Sequence, residues 1–351
     1  MKQFSVMNMT FERGALSLVG GLVIALVSVA ALHPPAAGTA KPVYSVLQRA
    51  EALVLSSGLL PRAMIAAAEP ERSMGDLIDM DVASGDTDIG PTDVVASASS
   101  LSDAFGRMGY KLDSVIEGSQ PVPRLFLSSL PNDLSQVAEN SERKEIFFRS
   151  VLPLVLQANE EILADRRRLW KLRYQTRLGQ KAGPADRLWL QVMGEMYRVK
   201  RGDIDALLTR IDIVPPSLAL AQAAEESGWG TSRFVREGNA MFGQWTFSSK
   251  KGLVPTDREE GKTHKVRAFD SLIDSVRAYA LNLNSNRAYR ELRRERAQLR
   301  RNGNAIDGRI LAGTLKRYSQ RGEAYIVGLR GLIDSNGLSS LDDARLVGPT
   351  I

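Results

Sequence analysis

Hydrophobic and polar positions divide the chain into textures that change at about residues 33, 69, 141 and 230. From 141 the stretch "SERKEIFFRSVLPLVLQANEEILADRRRLWKLRYQTRL" places Ile146, Phe147, Val151, Leu152, Leu154, Val155 and Ile162 at helical spacing. Ser141 and Glu145 supply a cap region, and Pro153 is expected to kink or divide the helix. Arg166, Arg167 and Arg168 read as a solvated face. "GPADRLWLQVMGEMYRV" and "DIDALLTRI" predict two further helices.

Pro215 and Pro216 then open an alanine-rich helix, "VPPSLALAQAAEES", at a position where a missing amide donor costs nothing. Gly228 and Gly230 end it. Beyond them the period shortens. "NAMFGQWTF" (239–247) and "THKVRAF" (263–269) alternate like short strands around the polar loop "SSKKGLVPTDREEGK". Helical spacing returns in "DSLIDSVRAYALNLN", with Leu272, Val276, Tyr279 and Leu283 on one face, and in the arginine-rich run 287–301. A helix pair around "SQRGEAY" closes the chain. The predicted class is α+β and mostly helical.

The N-terminal half differs. Residues 15–32 are 18 residues without a charge, preceded by Lys2 and Arg13 and followed by "HPP". They predict export, with residues 1–40 as a cleaved signal peptide (after Ala40) or a retained membrane anchor. Residues 41–140 hold a short helix-like run and then become rich in Ser, Asp, Gly and Pro. They are expected to be an acidic, largely flexible spacer. Residues 141–211 form a helical extension, and 212–345 the domain that carries the chemistry.

Charge sharpens this division. Residues 69–120 hold 11 acids against Arg72, Arg107 and Lys111, whereas the whole chain is net +6, so the remainder is strongly basic. Such a domain suits an anionic polymer or membrane. Neither a recognition helix nor a ribonucleoprotein-type aromatic motif points to nucleic acid. With no cysteine, and with His33 and His264 far apart, neither a metal nor another cofactor is expected. The arginines of 287–301 are either a solvated face or an anion-binding one.

The chemistry concentrates at "AQAAEESGWG", residues 221–230. Breaking a glycosidic bond requires a carboxylic acid still protonated near neutral pH. Apolar walls, a neighbouring like charge and the negative end of a helix dipole all raise a glutamate pKa. Glu225, Glu226, Trp229 and the alanine face supply that combination, in the manner long established for lysozyme. The helical wheel alone does not choose between the two glutamates.

"PPSLALAQAAEESGWGTSRFVREGNAMFGQW" resembles the core motif of the glucosaminidase domain, glycoside hydrolase family 73, in its Bax-type branch. The matching positions are Ala221 to Ala224, Glu226 to Gly230, Asn239, Phe242 and Gly243. The likeness continues less tightly through "FDSLIDSVRAYALNLNSNRAY" and "RYSQRGEAY". It implies a lysozyme-like helical body with a small β-lobe. It also implies hydrolysis of the β-1,4 bond after N-acetylglucosamine in peptidoglycan, with Glu226 as general acid. The second carboxylate is expected on the β-lobe loop, at Asp257, Glu259 or Glu260, with Glu259 preferred. Trp229, Gln244, Trp245, Tyr279 and Tyr289 are the candidate glycan-binding residues, whereas Phe242 reads as core. Peptidoglycan is the expected partner, the cell envelope or periplasm the expected setting, and the inner membrane a further contact through 15–32. No protein partner is identified. A lytic transglycosylase and a non-catalytic wall-binding scaffold stay open as alternatives.

Overall fold

The computed structural model describes residues 97–246, 252–255 and 265–348. The apolar run 15–32, most of the acidic segment and the loop candidates Asp257, Glu259 and Glu260 lie outside them. Among the described residues the fold is an α+β, mostly helical body with a small β element, as the sequence predicted.

Its spine is helix α3 (Asn140–Arg177), after α1 (Ala98–Arg107) and α2 (Leu112–Ile116). Helix α3 runs undivided through Pro153. The residues around the proline, Val151 to Leu156, are all buried. Burying these side chains outweighs the roughly 3 kcal/mol that an internal proline costs. Helices α4 (Pro184–Met196) and α5 (Ile204–Arg210) follow, then α6 (Pro216–Ser227) and α7 (Arg233–Gly238). Strands β1 (Trp245–Thr246) and β2 (Lys265–Val266) pair antiparallel, Trp245 opposite Val266. Helices α8 (Leu272–Ser285), α9 (Arg290–Arg301), α10 (Gly308–Ala312) and α11 (Glu323–Ser335) complete the body.

Helix α6 is at its centre. Residues Pro216 to Ala224 are all buried, as is Ser227. It packs on α3, α10, α11 and the 3-10 turn Leu338–Asp343. A helix that is apolar on every side belongs inside a protein, and alanine lets its neighbours approach closely. At Gly308 a Cβ would stand 2.1 Å from Ser217 Oγ, so this crossing admits no side chain.

Two expectations need correction. The first concerns the spacer, whose last part, residues 97–139, is folded. Leu101, Phe105 and Tyr110 are fully buried, and Arg149 of α3 donates to the Tyr110 carbonyl (2.8 Å). Val122 forms a parallel bridge with Leu346 near the C-terminus. Arg124 pairs through both carboxylate oxygens with Glu160 (2.9 and 2.8 Å). The segment looked structureless because serine, aspartate and glycine on its outer face dilute a helical period at Ala98, Leu101, Ala104 and Phe105. A chain beginning at Ser141 would uncover the partners of these side chains. Each large apolar residue contributes about 1.5–3 kcal/mol, and net stability is only about 5–15 kcal/mol. Such a truncation is expected to lose its cooperative thermal transition, measured by circular dichroism against the full chain.

The second correction concerns the arginines. In α9, Arg293 and Arg296 are buried and bind backbone carbonyls. In α3, Arg166 reaches the carbonyls of Leu208 and Ile211, and Arg168 pairs with Asp186 (2.7 Å). A guanidinium offers five donors; Arg166 and Arg296 use them on carbonyls of residues 208–213, and Arg293 on those at the end of α8.

Candidate active site

Helix α6 delivers Glu226 in its last turn and stops at Ser227, one residue later. Gly228, Trp229 and Gly230 all take left-handed backbone, at φ 58°, 60° and 78°. Two of the three are glycine, for which this costs little; Trp229 is not. Its ring is held between Phe147 and Phe148 of α3, at centroid distances of 5.9 and 5.3 Å, with Lys144 Nζ 4.8 Å from the ring centre. Gly230 is fixed by contact as well: a Cβ there would come within 2.5 Å of Leu130 Cδ1. The folded segment 97–139 thus lies directly behind the turn that follows Glu226.

Glu226 faces a cleft of about 970 Å³. Its Oε1 accepts a hydrogen bond from the Tyr325 hydroxyl (2.8 Å). Gln222, one turn back on α6, donates to the Tyr325 oxygen (3.0 Å) and accepts from the Tyr279 hydroxyl (2.7 Å). A relay of buried polar groups therefore runs Tyr279, Gln222, Tyr325, Glu226. Stacked rings hold it in place. Tyr279 lies 3.8 Å from Phe242 at 7°, and Tyr318 lies 5.5 Å from Tyr325 at 5°. Gly243, at φ 56°, sits opposite the carboxylate, where a Cβ would be 4.0 Å from Glu226 Oε2.

Burial raises the Glu226 pKa from the ordinary glutamate value. The Tyr325 hydrogen bond opposes this, the Glu225 charge adds to it, and Arg321 opposes it again. Arg321 is engaged elsewhere, since it pairs with Glu225 at 2.6 Å. The two adjacent glutamates therefore have separate environments. Glu225 is ion-paired at the rim, and Glu226 is desolvated in the cleft.

The cleft brings together Glu226, Gln244, Trp245 and Tyr289, four of the residues expected from sequence. Trp245 is 64% exposed at the cleft wall. Two aromatics fall elsewhere. Trp229 packs on α3, because the left-handed turn carries it there, and Tyr279 is 1% exposed behind Phe242. Neither lines the cleft, although Tyr279 supports it through Gln222. Phe242 is core, as expected, yet also reaches the lining. Asp257, Glu259 and Glu260 lie outside the described residues. The sequence reading gave no role to Tyr325, Tyr318 or Arg321. Their signal was the stretch "RYSQRGEAY", where two tyrosines seven residues apart flank an arginine.

Residues 203–335 match the glucosaminidase family, described as mannosyl-glycoprotein endo-beta-N-acetylglucosaminidase. Protein bax of Escherichia coli strain K12 is 37% identical over 204 residues, which cover 56% of this chain and 71% of that protein. The chain belongs to the Bax-type proteins with a glucosaminidase domain. No solved structure matches it significantly. The family match spans α5 to α11 and so contains Glu226, Gln222, Tyr318, Arg321 and Tyr325. Helices α3 and α4 lie before it. The glucosaminidase domain supports a glycosidase acting on peptidoglycan as the coarse activity.

Proposed function

We propose that this protein is an endo-β-N-acetylglucosaminidase that hydrolyses the β-1,4 bond after N-acetylglucosamine in peptidoglycan, with Glu226 as general acid. The observation that carries this reading is a single one. A glutamate at the end of a buried helix, with a raised pKa, faces an open cleft and is aimed by a tyrosine relay. Protonated Glu226 gives its proton to the departing glycosidic oxygen as the C–O bond breaks and positive charge builds on the sugar ring. Tyr325 fixes the carboxyl through one oxygen, leaving Oε2, beside Gly243, to face the substrate. Trp245 presents its ring at the cleft wall to the apolar faces of sugars, Tyr289 contributes to the buried part of that wall, and Gln244 offers an amide to sugar hydroxyl or acetamido groups. We assign the companion carboxylate to Glu259, which the sequence places between β1 and β2. The uncharged run 15–32 supports export to the envelope, where this substrate lies, with the run cleaved as a signal or kept as an anchor in the inner membrane. Among the described residues no helix is long and apolar enough to cross a membrane.

A general acid works only when protonated, so kcat falls as pH rises through the Glu226 pKa. Tyr325→Phe removes an interaction that lowers this pKa and should move the alkaline limb of the kcat profile upward. Glu225→Gln removes a charge that raises it and releases Arg321, so the limb should move downward. Opposite shifts in these two profiles support Glu226 as the acid. Limbs that stay fixed, or move together, count against it.

A further inference from the structure

The turn after α4 is strained at one residue. Val199 N–H donates to the Gly194 carbonyl (2.7 Å) and Arg198 N–H to the Glu195 carbonyl (3.2 Å), which closes the helix. Arg198 stands at the left-handed position of this cap, with φ 55°. Glycine is the usual occupant there, and any other residue is held at a cost. The arginine is exposed, lines the same cleft as Glu226, and makes no ion pair or side-chain hydrogen bond among the described residues. Strain of this kind at a cleft wall points to a use for the side chain.

The surroundings define that use. Arg198 lines the cleft together with Ser285 and Asn286, at the C-terminal end of α8, and its charge acts on Arg210. Arg210 donates to the Ser285 carbonyl (2.6 Å), and Arg293 donates to the carbonyls of Leu283 and Asn286 (2.8 Å each). The negative end of the helix is therefore already satisfied by cations. Burial lowers the pKa of both arginines, and neighbouring positive charges lower them further. Arg198 and Arg290 act on Arg210; Arg210, Arg296 and Arg290 act on Arg293. Glu226 is the one carboxylate among the described lining residues. This end of the cleft thus carries an excess of positive charge, and of these arginines Arg198 is the one that lines the cleft. It comes from the helical extension, outside the region matched to the glucosaminidase family.

We infer that Arg198, with Arg210 and Arg290 behind it, is an anion subsite that takes a carboxylate of the peptide stem borne by the glycan strand. The inference rests on the peptidoglycan reading above and deepens it. N-acetylglucosamine units are neutral, so the subsite distinguishes peptide-substituted strands from bare glycan. An arginine fork suits a carboxylate geometrically, and the gain is electrostatic and salt-sensitive.

The test measures binding by the full chain carrying Glu226→Gln, with and without Arg198→Gly. Three soluble ligands are used: peptidoglycan fragments with free stem carboxylates, the same fragments with those carboxylates amidated, and uncharged N-acetylglucosamine oligomers. Arg198→Gly should weaken the first by about tenfold, as expected for a lost charge-assisted hydrogen bond. The other two should change less than about twofold on the same scale. Because glycine suits φ 55°, the melting temperature should not fall. Equal weakening for all three ligands would show a structural role and overturn the inference, as would undiminished binding of the carboxylate form. If the Glu226→Gln chain binds none of the three, the peptidoglycan reading falls as well. If it binds all three alike, the subsite alone falls.

Discussion

Glu226→Gln should lower kcat on peptidoglycan by roughly 10²–10⁴-fold, the usual contribution of a positioned general acid. Glutamine keeps the size of the side chain and can still accept the Tyr325 hydrogen bond through its carbonyl oxygen, so the relay from Tyr279 stays joined. What it lacks is an acidic proton for the leaving oxygen. Circular dichroism and the melting temperature should therefore match the parent protein while the clearing of a peptidoglycan suspension stops. The neighbouring substitution is the internal control. Glu225→Gln breaks a pair at the rim and should leave turnover largely intact at low pH, where Glu226 is protonated in either protein.

Arg296→Ala should give the largest loss of stability, roughly 3–5 kcal/mol, as expected when one partner of a buried charged network is removed. Arg296 is fully buried. One terminal nitrogen donates to the carbonyls of Asp212 (2.9 Å) and Ile213 (2.7 Å). The other donates to the Arg210 carbonyl (3.0 Å) and to Asn284 Oδ1 (2.7 Å). Truncation leaves four acceptors without this donor and opens a void among them. Burial alone would raise the Asp212 pKa, but the Arg300 hydrogen bond and the charges of Arg296, Arg166 and Arg300 outweigh it and hold the group below its usual value. Losing Arg296 removes part of that compensation. Residues 210–214 lead directly into α6, so the damage should reach the cleft, and activity should fall at lower temperature than in the parent. Urea denaturation measures the loss. Arg294→Ala, on the exposed side of the same helix, should change little.

That contrast shows what the sequence could and could not reveal. Hydrophobic spacing marked α3, α6 and α8 well, because their buried faces are continuous. It could not separate Arg293 and Arg296 from Arg290 and Arg294. All lie on one amphipathic helix, and which side meets carbonyl oxygens is decided by the end of the preceding helix at residues 283–286 and by residues 208–214, which are far away in sequence. The fold of residues 97–139 was missed for a related reason. Short helices with small polar outer faces show little net hydrophobicity, and their stability comes from α3 and from the bridge between Val122 and Leu346.

At the site, Glu226 was legible because a long contiguous motif surrounds it. Gln244, Trp245 and Tyr289 also reach the cleft. Trp229 and Tyr279 do not line it, since aromatic residues near Glu226 can equally buttress it from behind. Tyr325 went unassigned because its role depends on α11 crossing α6, a packing that no local pattern encodes. Arg198 carried no sequence signal, since its left-handed backbone is visible only in three dimensions.

The most direct measurement is the chemical identity of the sugar ends released from purified peptidoglycan by the full chain and by Glu226→Gln, determined by mass spectrometry. The account predicts reducing N-acetylglucosamine ends from the parent protein and none from Glu226→Gln. Anhydro-sugar ends would contradict it in favour of a transglycosylase. Equal release by both proteins would remove Glu226 from its role, and wall binding without any release would leave a scaffold in place of an enzyme.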